Sequence, residues 1–131
     1  MKKYILAVST GFVLSVLTLT GCAGDSANSY TQISMDEAIE MMEAEENYII
    51  LDVRTKEEYD AGHIEGAINI ANEVIHHDQS ENLPDKEQLI LVYCRSGNRS
   101  KQASEKLVKQ GYTNVYEFGG IIDWPKDVVV E

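Results

Sequence analysis

Two near-continuous apolar stretches dominate the pattern beyond the N-terminal third, Tyr48-Ile49-Ile50-Leu51-Asp52-Val53 and Gln88-Leu89-Ile90-Leu91-Val92-Tyr93. Neither alternates, so each reads as a strand buried on both faces, as parallel sheets require. Three shorter runs, Tyr30 to Ile33, Ala67 to Ile70 and Val115 to Phe118, predict further strands. Between them the apolar period lengthens to that of a helix. Met35, Ala38, Ile39 and Met42 share one face, behind the capping box of Ser34 and Glu37, so a helix runs to about Glu45. Thr55 and Glu58 form a second capping box that opens a short helix ending near Gly62. Glu73 to Asp78 predicts a helical turn or two, and Leu83-Pro84-Asp85 a turn. A last helix spans about Ser100 to Gln110. Ala103 and Leu107 supply its buried side, Lys106 and Lys109 suit its C-terminal dipole, and Gly111 stops it. Strands alternating with helices specify an α/β sheet, largely parallel, with right-handed crossovers.

The N-terminus follows another pattern. Met1-Lys2-Lys3 is basic, and Tyr4 to Thr20 carries no charge. Leu19-Thr20-Gly21-Cys22 then resembles a bacterial lipobox, in which the cysteine is acylated and becomes the new N-terminus. The expected organisation is a lipoprotein signal peptide over 1–21, lipidated Cys22 with a flexible tether over 22–29, and one domain over 30–131. The tether, small and polar from Ala23 to Ser29, spans on the order of 15 Å as a coil. Multiple acyl chains would hold the protein firmly on the outer side of a bacterial membrane.

Composition narrows the possibilities. The chain has 131 residues and a formal net charge of −11; removal of 1–21 takes Lys2 and Lys3 and leaves 110 residues, nine basic and 22 acidic, at −13. One core-forming domain fits that length. The acidic balance excludes a nucleic-acid binder, which needs a basic face. Two cysteines make neither a disulfide framework nor a four-thiolate zinc site. With Cys22 lipidated, Cys94 is the only free thiol.

The chemistry concentrates in Tyr93-Cys94-Arg95-Ser96-Gly97-Asn98-Arg99-Ser100. A buried strand ends, a nucleophile follows, and a helix begins soon after. Sites in open α/β sheets form beyond the carboxyl ends of strands. A loop entering a helix directs several N–H groups and roughly half a positive charge at one point. Arg95 and Arg99 add full charges. Every one of these terms favours an anion, so the Cys94 thiol is expected below the free value of about 8.5.

This loop, together with Leu51-Asp52-Val53-Arg54, Glu57-Glu58-Tyr59, Gly62-His63-Ile64-Glu65-Gly66-Ala67-Ile68-Asn69, Gly111-Tyr112, and Gly119-Gly120 with Trp124, resembles a single rhodanese-like sulfurtransferase domain. The resemblance covers about Tyr30 to Val130. It implies a five-stranded, mostly parallel sheet with helices on both faces, an active-site loop starting at Cys94, and sulfane sulfur carried as a cysteine persulfide. A donor such as thiosulfate would load Cys94, and a thiol or cyanide would unload it. Arg95, Ser96, Gly97, Asn98, Arg99 and Ser100 would bind donor and persulfide. No cofactor, metal or nucleic acid is expected, the membrane is engaged through the lipid anchor, and the chain is expected to be a monomer. A non-turnover sulfur carrier, or a binding module, acting with a partner protein remains the alternative.

The loop also separates this chain from the related phosphatases and arsenate reductases. Those use Cys-x-x-x-x-x-Arg, whereas Cys94 to Arg99 is Cys-x-x-x-x-Arg, one residue shorter and too tight for a tetrahedral oxyanion. Asp52 and Arg54 read as a structural ion pair, and His63 as a packing residue. His76-His77 would diverge by about 100° on a helix. Gly119-Gly120 and Trp124 read equally as pocket wall or as packing.

Overall fold

The computed structural model describes residues 29–131; the expected signal peptide, Cys22 and all of the expected tether except Ser29 lie outside them. Five strands and three helices follow in the order β1 (Thr31–Gln32), α1 (Met35–Ala44), β2 (Tyr48–Asp52), α2 (Lys56–Ala61), β3 (Ile68–Asn69), β4 (Leu89–Cys94), α3 (Asn98–Lys109) and β5 (Val115–Gly120). The strands form one sheet in the order β1-β5-β4-β2-β3, and every neighbouring pair is parallel. The expected architecture therefore stands. Glu73 to Asp78 contributes less helix than the pattern suggests: one 3-10 turn spans Asn72–Val74.

Alternation along the central strands divides the core. Leu51 and Val53, Ile90, Val92 and Cys94, and Val115 point to one face, where Ala103 and Leu107 of α3 cover them. Ile50, Leu91, Tyr93 and Phe118 point to the other face, against Ala38 of α1 and Tyr59 of α2. Helices thus lie on both faces. Both predicted capping boxes form, Ser34 with Glu37 and Thr55 with Glu58. They place the starts of α1 and α2. Gly111, at φ +102, ends α3: its N–H reaches Val108 O at 3.0 Å and that of Tyr112 reaches Leu107 O at 3.2 Å. Those two bonds are a Schellman motif, and they seat the fully buried Tyr112.

One polar network crosses the α1 face. Asp52 and Arg54 are paired at 2.7 Å with both side chains buried. Tyr93 donates its hydroxyl to Asp52 Oδ2 at 2.6 Å and accepts the Ile64 N–H at 3.1 Å, while Arg54 Nη2 also reaches Gly62 O at 2.7 Å. Burial, then the bond to Asp52, pushes the Tyr93 phenol up, so it stays neutral. Each charge in the network has a partner, which a buried ion pair requires. The network ties the carboxyl end of β2 to the turn after α2. The pair is the structural one expected.

Candidate active site

Cys94 is the last residue of β4, in the middle of the sheet. Following Ile90 and Val92, it faces α3. The chain then turns in three residues, Arg95 to Gly97, and enters α3 at Asn98. Two of the expected loop residues, Asn98 and Arg99, therefore belong to the first turn of the helix, which starts two residues earlier than the pattern suggests. The reason is Gly97: at φ +116 it rotates the chain directly into the helix, a conformation that side chains resist.

That tight turn aims the helix start at the sulfur. The Gly97 N–H donates to Cys94 Sγ at 3.0 Å, and Ser100 Oγ lies 3.5 Å from it. Burial raises the thiol, but the Ser100 hydroxyl and the N–H groups of Ser100, Gly97 and Ser96 together outweigh it. The net result is a thiol more acidic than its ordinary value. The positive end of α3 acts in the same direction. Cys94 is only 1% exposed. It is not sealed among aliphatic groups, however, because its sulfur meets an amide and a hydroxyl. The next two residues, Arg95 and Ser96, are exposed.

The turn rests on β5. Val92 pairs with Glu117 and Cys94 with Gly120, so β5 carries one extra residue, a bulge that includes Gly119 at φ +99. Gly120 lies directly under the turn, and the Ile122 N–H reaches Arg95 O at 3.3 Å. Gly119-Gly120 is thus the floor of the site. Trp124 is not part of it. It packs 6.4 Å from Phe118 on the α1 face, where it helps line a cavity of about 260 Å³ with Ile39, Tyr48 and Ile64.

The two arginines differ. Among the described residues no ion pair includes Arg95, whose side chain is exposed at the rim. Arg99 is held by Glu58 of α2, with Nη1 2.8 Å from Oε1 and Nη2 3.1 Å from Oε2. That two-pronged contact fixes the guanidinium beside the site and meets its charge. The Arg99 bonds, reinforced by Thr55, hold Glu58 down at about 2, against an ordinary 4.5. A carboxyl depressed in the fold adds stability above its unfolded value and loses it as pH falls toward the folded one. Thermal unfolding should therefore weaken more steeply between pH 4.5 and 2 in the native chain than in Glu58→Gln. Parallel curves would show that the contact contributes nothing.

One residue at the site had no sequence assignment. Glu117 is completely buried; its Oε2 accepts the Ser100 hydroxyl at 2.5 Å and the Gly119 N–H at 2.9 Å. Its position was readable in principle, because Glu117 shares the parity of Val115 on a strand of a doubly covered sheet. A charge there is an anomaly that calls for a partner.

Other candidates fall outside the site. His63 stacks on Tyr59 with ring centroids 3.7 Å apart and its Nδ1 2.8 Å from Tyr59 O. His76 and His77 do not diverge: their segment is a turn rather than a helix, and the rings lie 3.9 Å apart. Among the described residues no group of three or more His, Cys, Asp or Glu is arranged to hold a metal.

Known proteins are similar to this chain in sequence and fold. The Rhodanese-like domain matches residues 34–127. The thiosulfate sulfurtransferase PspE of Escherichia coli is 41% identical over 73 residues, which cover 56% of this chain and 70% of that protein. The thiosulfate sulfurtransferase GlpE of Shewanella oneidensis is 32% identical over 98 residues, covering 74% and 94% respectively. A solved rhodanese with anions from E. coli superposes with a TM-score of 0.59 at 37% identity, covering 64% of this chain and 99% of that one. The chain belongs to the rhodanese-like family, whose chemistry is sulfur transfer.

Proposed function

We propose that the protein is a rhodanese-type sulfurtransferase that moves sulfane sulfur from a thiosulfate-like donor to a thiol or cyanide through a Cys94 persulfide. The observation that carries this reading is the 3.0 Å contact from the Gly97 N–H to Cys94 Sγ, at the N-terminus of α3. The Cys94 thiolate attacks the outer sulfur of the donor, an S–S bond forms, and sulfite leaves with the electron pair of the broken bond. The terminal persulfide sulfur then carries the negative charge. Amides of the turn and the first turn of α3 stabilise it, a preformed electrostatic cradle. An acceptor thiolate or cyanide takes that sulfur and restores the Cys94 thiolate. Two half-reactions through one covalent intermediate give ping-pong kinetics.

The rim cation Arg95 draws in the anionic donor. Arg99 contributes while shared with Glu58. The relatives named as thiosulfate sulfurtransferases support the donor class. The leader and Leu19-Thr20-Gly21-Cys22 support acylation at Cys22 and a place on the outer side of a bacterial membrane.

Mass spectrometry of the full chain after thiosulfate treatment should show one added sulfur atom on the peptide containing Cys94, and cyanide should release it as thiocyanate. The absence of any adduct sinks the reading. Loading without multiple turnovers converts it to a sulfur carrier. Loss of fatty-acid labelling in Cys22→Ala checks the anchor.

A further inference from the structure

We propose that Glu117 takes up the Cys94 proton through Ser100, so that a Cys94–Ser100–Glu117 chain generates the attacking thiolate within the protein. This deepens the sulfur-transfer reading and rests on it, because it assigns the proton that Cys94 must lose before attack.

The proton count supports the chain. Ser100 has a single hydroxyl hydrogen and lies between two acidic groups, 3.5 Å from Cys94 Sγ and 2.5 Å from Glu117 Oε2. The same heavy atoms accommodate two arrangements. In one, the Cys94 thiol donates to Ser100 Oγ and the Ser100 hydroxyl donates to the Glu117 carboxylate. In the other, both hydrogens have moved one place: the Glu117 carboxyl donates to Ser100 Oγ, and Ser100 donates to the Cys94 thiolate. The S–H bond breaks, a carboxyl O–H bond forms, and the total charge stays at minus one. No external base takes part.

The surroundings favour the second arrangement during attack. Glu117 is completely buried, and its Oε1 has no hydrogen-bond partner among the described residues. A buried anion with one oxygen unpaired is costly, whereas a neutral carboxyl needs less. The charge moves to Cys94 Sγ, which faces the Gly97 amide and the start of α3.

The other ionisable groups around the chain come from several elements. From α3, Lys101 Nζ lies 3.4 Å from where a Cβ on Gly97 would sit, and Glu117 Oε2 lies 3.9 Å from the same point. Arg99, also on α3, faces Cys94 while bound to Glu58, with Glu73 beyond it. Tyr30, preceding β1, faces Glu105 and Glu117. Arg95 stands at the rim. Among the described residues no ion pair reaches Glu117. Among the described residues its hydrogen bonds come from the Ser100 hydroxyl and the Gly119 N–H.

The test is the pH profile of Cys94 alkylation by iodoacetamide in the full chain, native and Glu117→Gln. Glutamine keeps the shape and, like a protonated carboxyl, is neutral and able to donate to Ser100. Because both groups exchange protons with water, the chain predicts a midpoint unchanged to within about half a pH unit, since a neutral group faces the Cys94 thiolate in both proteins. A midpoint lowered by about one unit or more overturns the proposal, because a permanently ionised Glu117 would give it, its removal relieving repulsion. Infrared spectra of the native chain supply the positive result and need no variant: the C=O stretch of a buried protonated carboxyl must be present at the pH where Cys94 reacts fast, and its absence overturns the proposal. Alkylation involves no sulfur donor. A native chain that alkylates as described yet never gains sulfur from thiosulfate refutes the sulfur-transfer reading instead.

Discussion

Replacing Cys94 with serine will leave a folded protein that gains no sulfur from thiosulfate and transfers none. The hydroxyl is smaller than the thiol, and it meets the same partners, the Gly97 N–H and Ser100 Oγ. The side chain therefore stays hydrogen-bonded, as a buried polar group must. Chemistry is another matter. An alkoxide is inaccessible near neutral pH, and no serine analogue of the persulfide can pass sulfur on. The expected loss is on the order of a thousandfold or more. Thermal unfolding reports the fold, and mass spectrometry with a thiocyanate assay reports the chemistry. Appreciable transfer by the variant would move the reaction to another group and remove the central assignment. A large drop in melting temperature would show instead that the thiol matters for packing.

The second large effect is expected from a residue with no reactive group. Gly120→Ala should distort the site and cost about 3 kcal/mol or more. A methyl group there would stand 1.9 Å from Arg95 O and 2.5 Å from Ser96 Cα. Both are backbone atoms, so no rotamer change relieves the overlap. Gly120 has an ordinary extended backbone, φ −138, so the penalty comes from space and not from backbone strain. Gly120 pairs with Cys94 across the bulge, and the displaced group is the turn whose amides face the sulfur. Alkylation of Cys94 should therefore shift to higher pH along with the loss of stability. Gly66→Ala provides the comparison: nothing lies within 4 Å of its added methyl, and only the strain of φ +87 remains. Equal effects from the two substitutions would mean that contact with the turn is unimportant.

Much of the fold could be read from short windows of sequence. Tyr48–Asp52 and Leu89–Cys94 are strands because their apolar runs are near-continuous, and the doubly covered sheet they imply is the one observed. The capping boxes at Ser34 and Thr55 fixed two helix starts because cap and partner are three residues apart. The start of α3 was misplaced by two residues because Gly97 caps it through backbone conformation alone, without a side-chain hydrogen bond to signal it.

The candidate site divides along the same line. Cys94, the turn and the helix behind it are contiguous, and strand–nucleophile–helix order already directs N–H groups at the sulfur. By itself, then, the sequence determined the candidate nucleophile, the sign of the field around it, and the α/β class. Only the tertiary structure decided that Arg99 is shared with Glu58, 41 residues away, and that Glu117, 17 residues away, closes on Ser100. It likewise decided that Cys94 is buried and that the Arg95–Ser96 turn rests on Gly120. Those contacts join α2 and β5 to the start of α3, and they depend on strand order and on one added residue in β5. Hydrophobic period is a local property of the chain, whereas the meeting of two distant polar groups is set by how the layers pack.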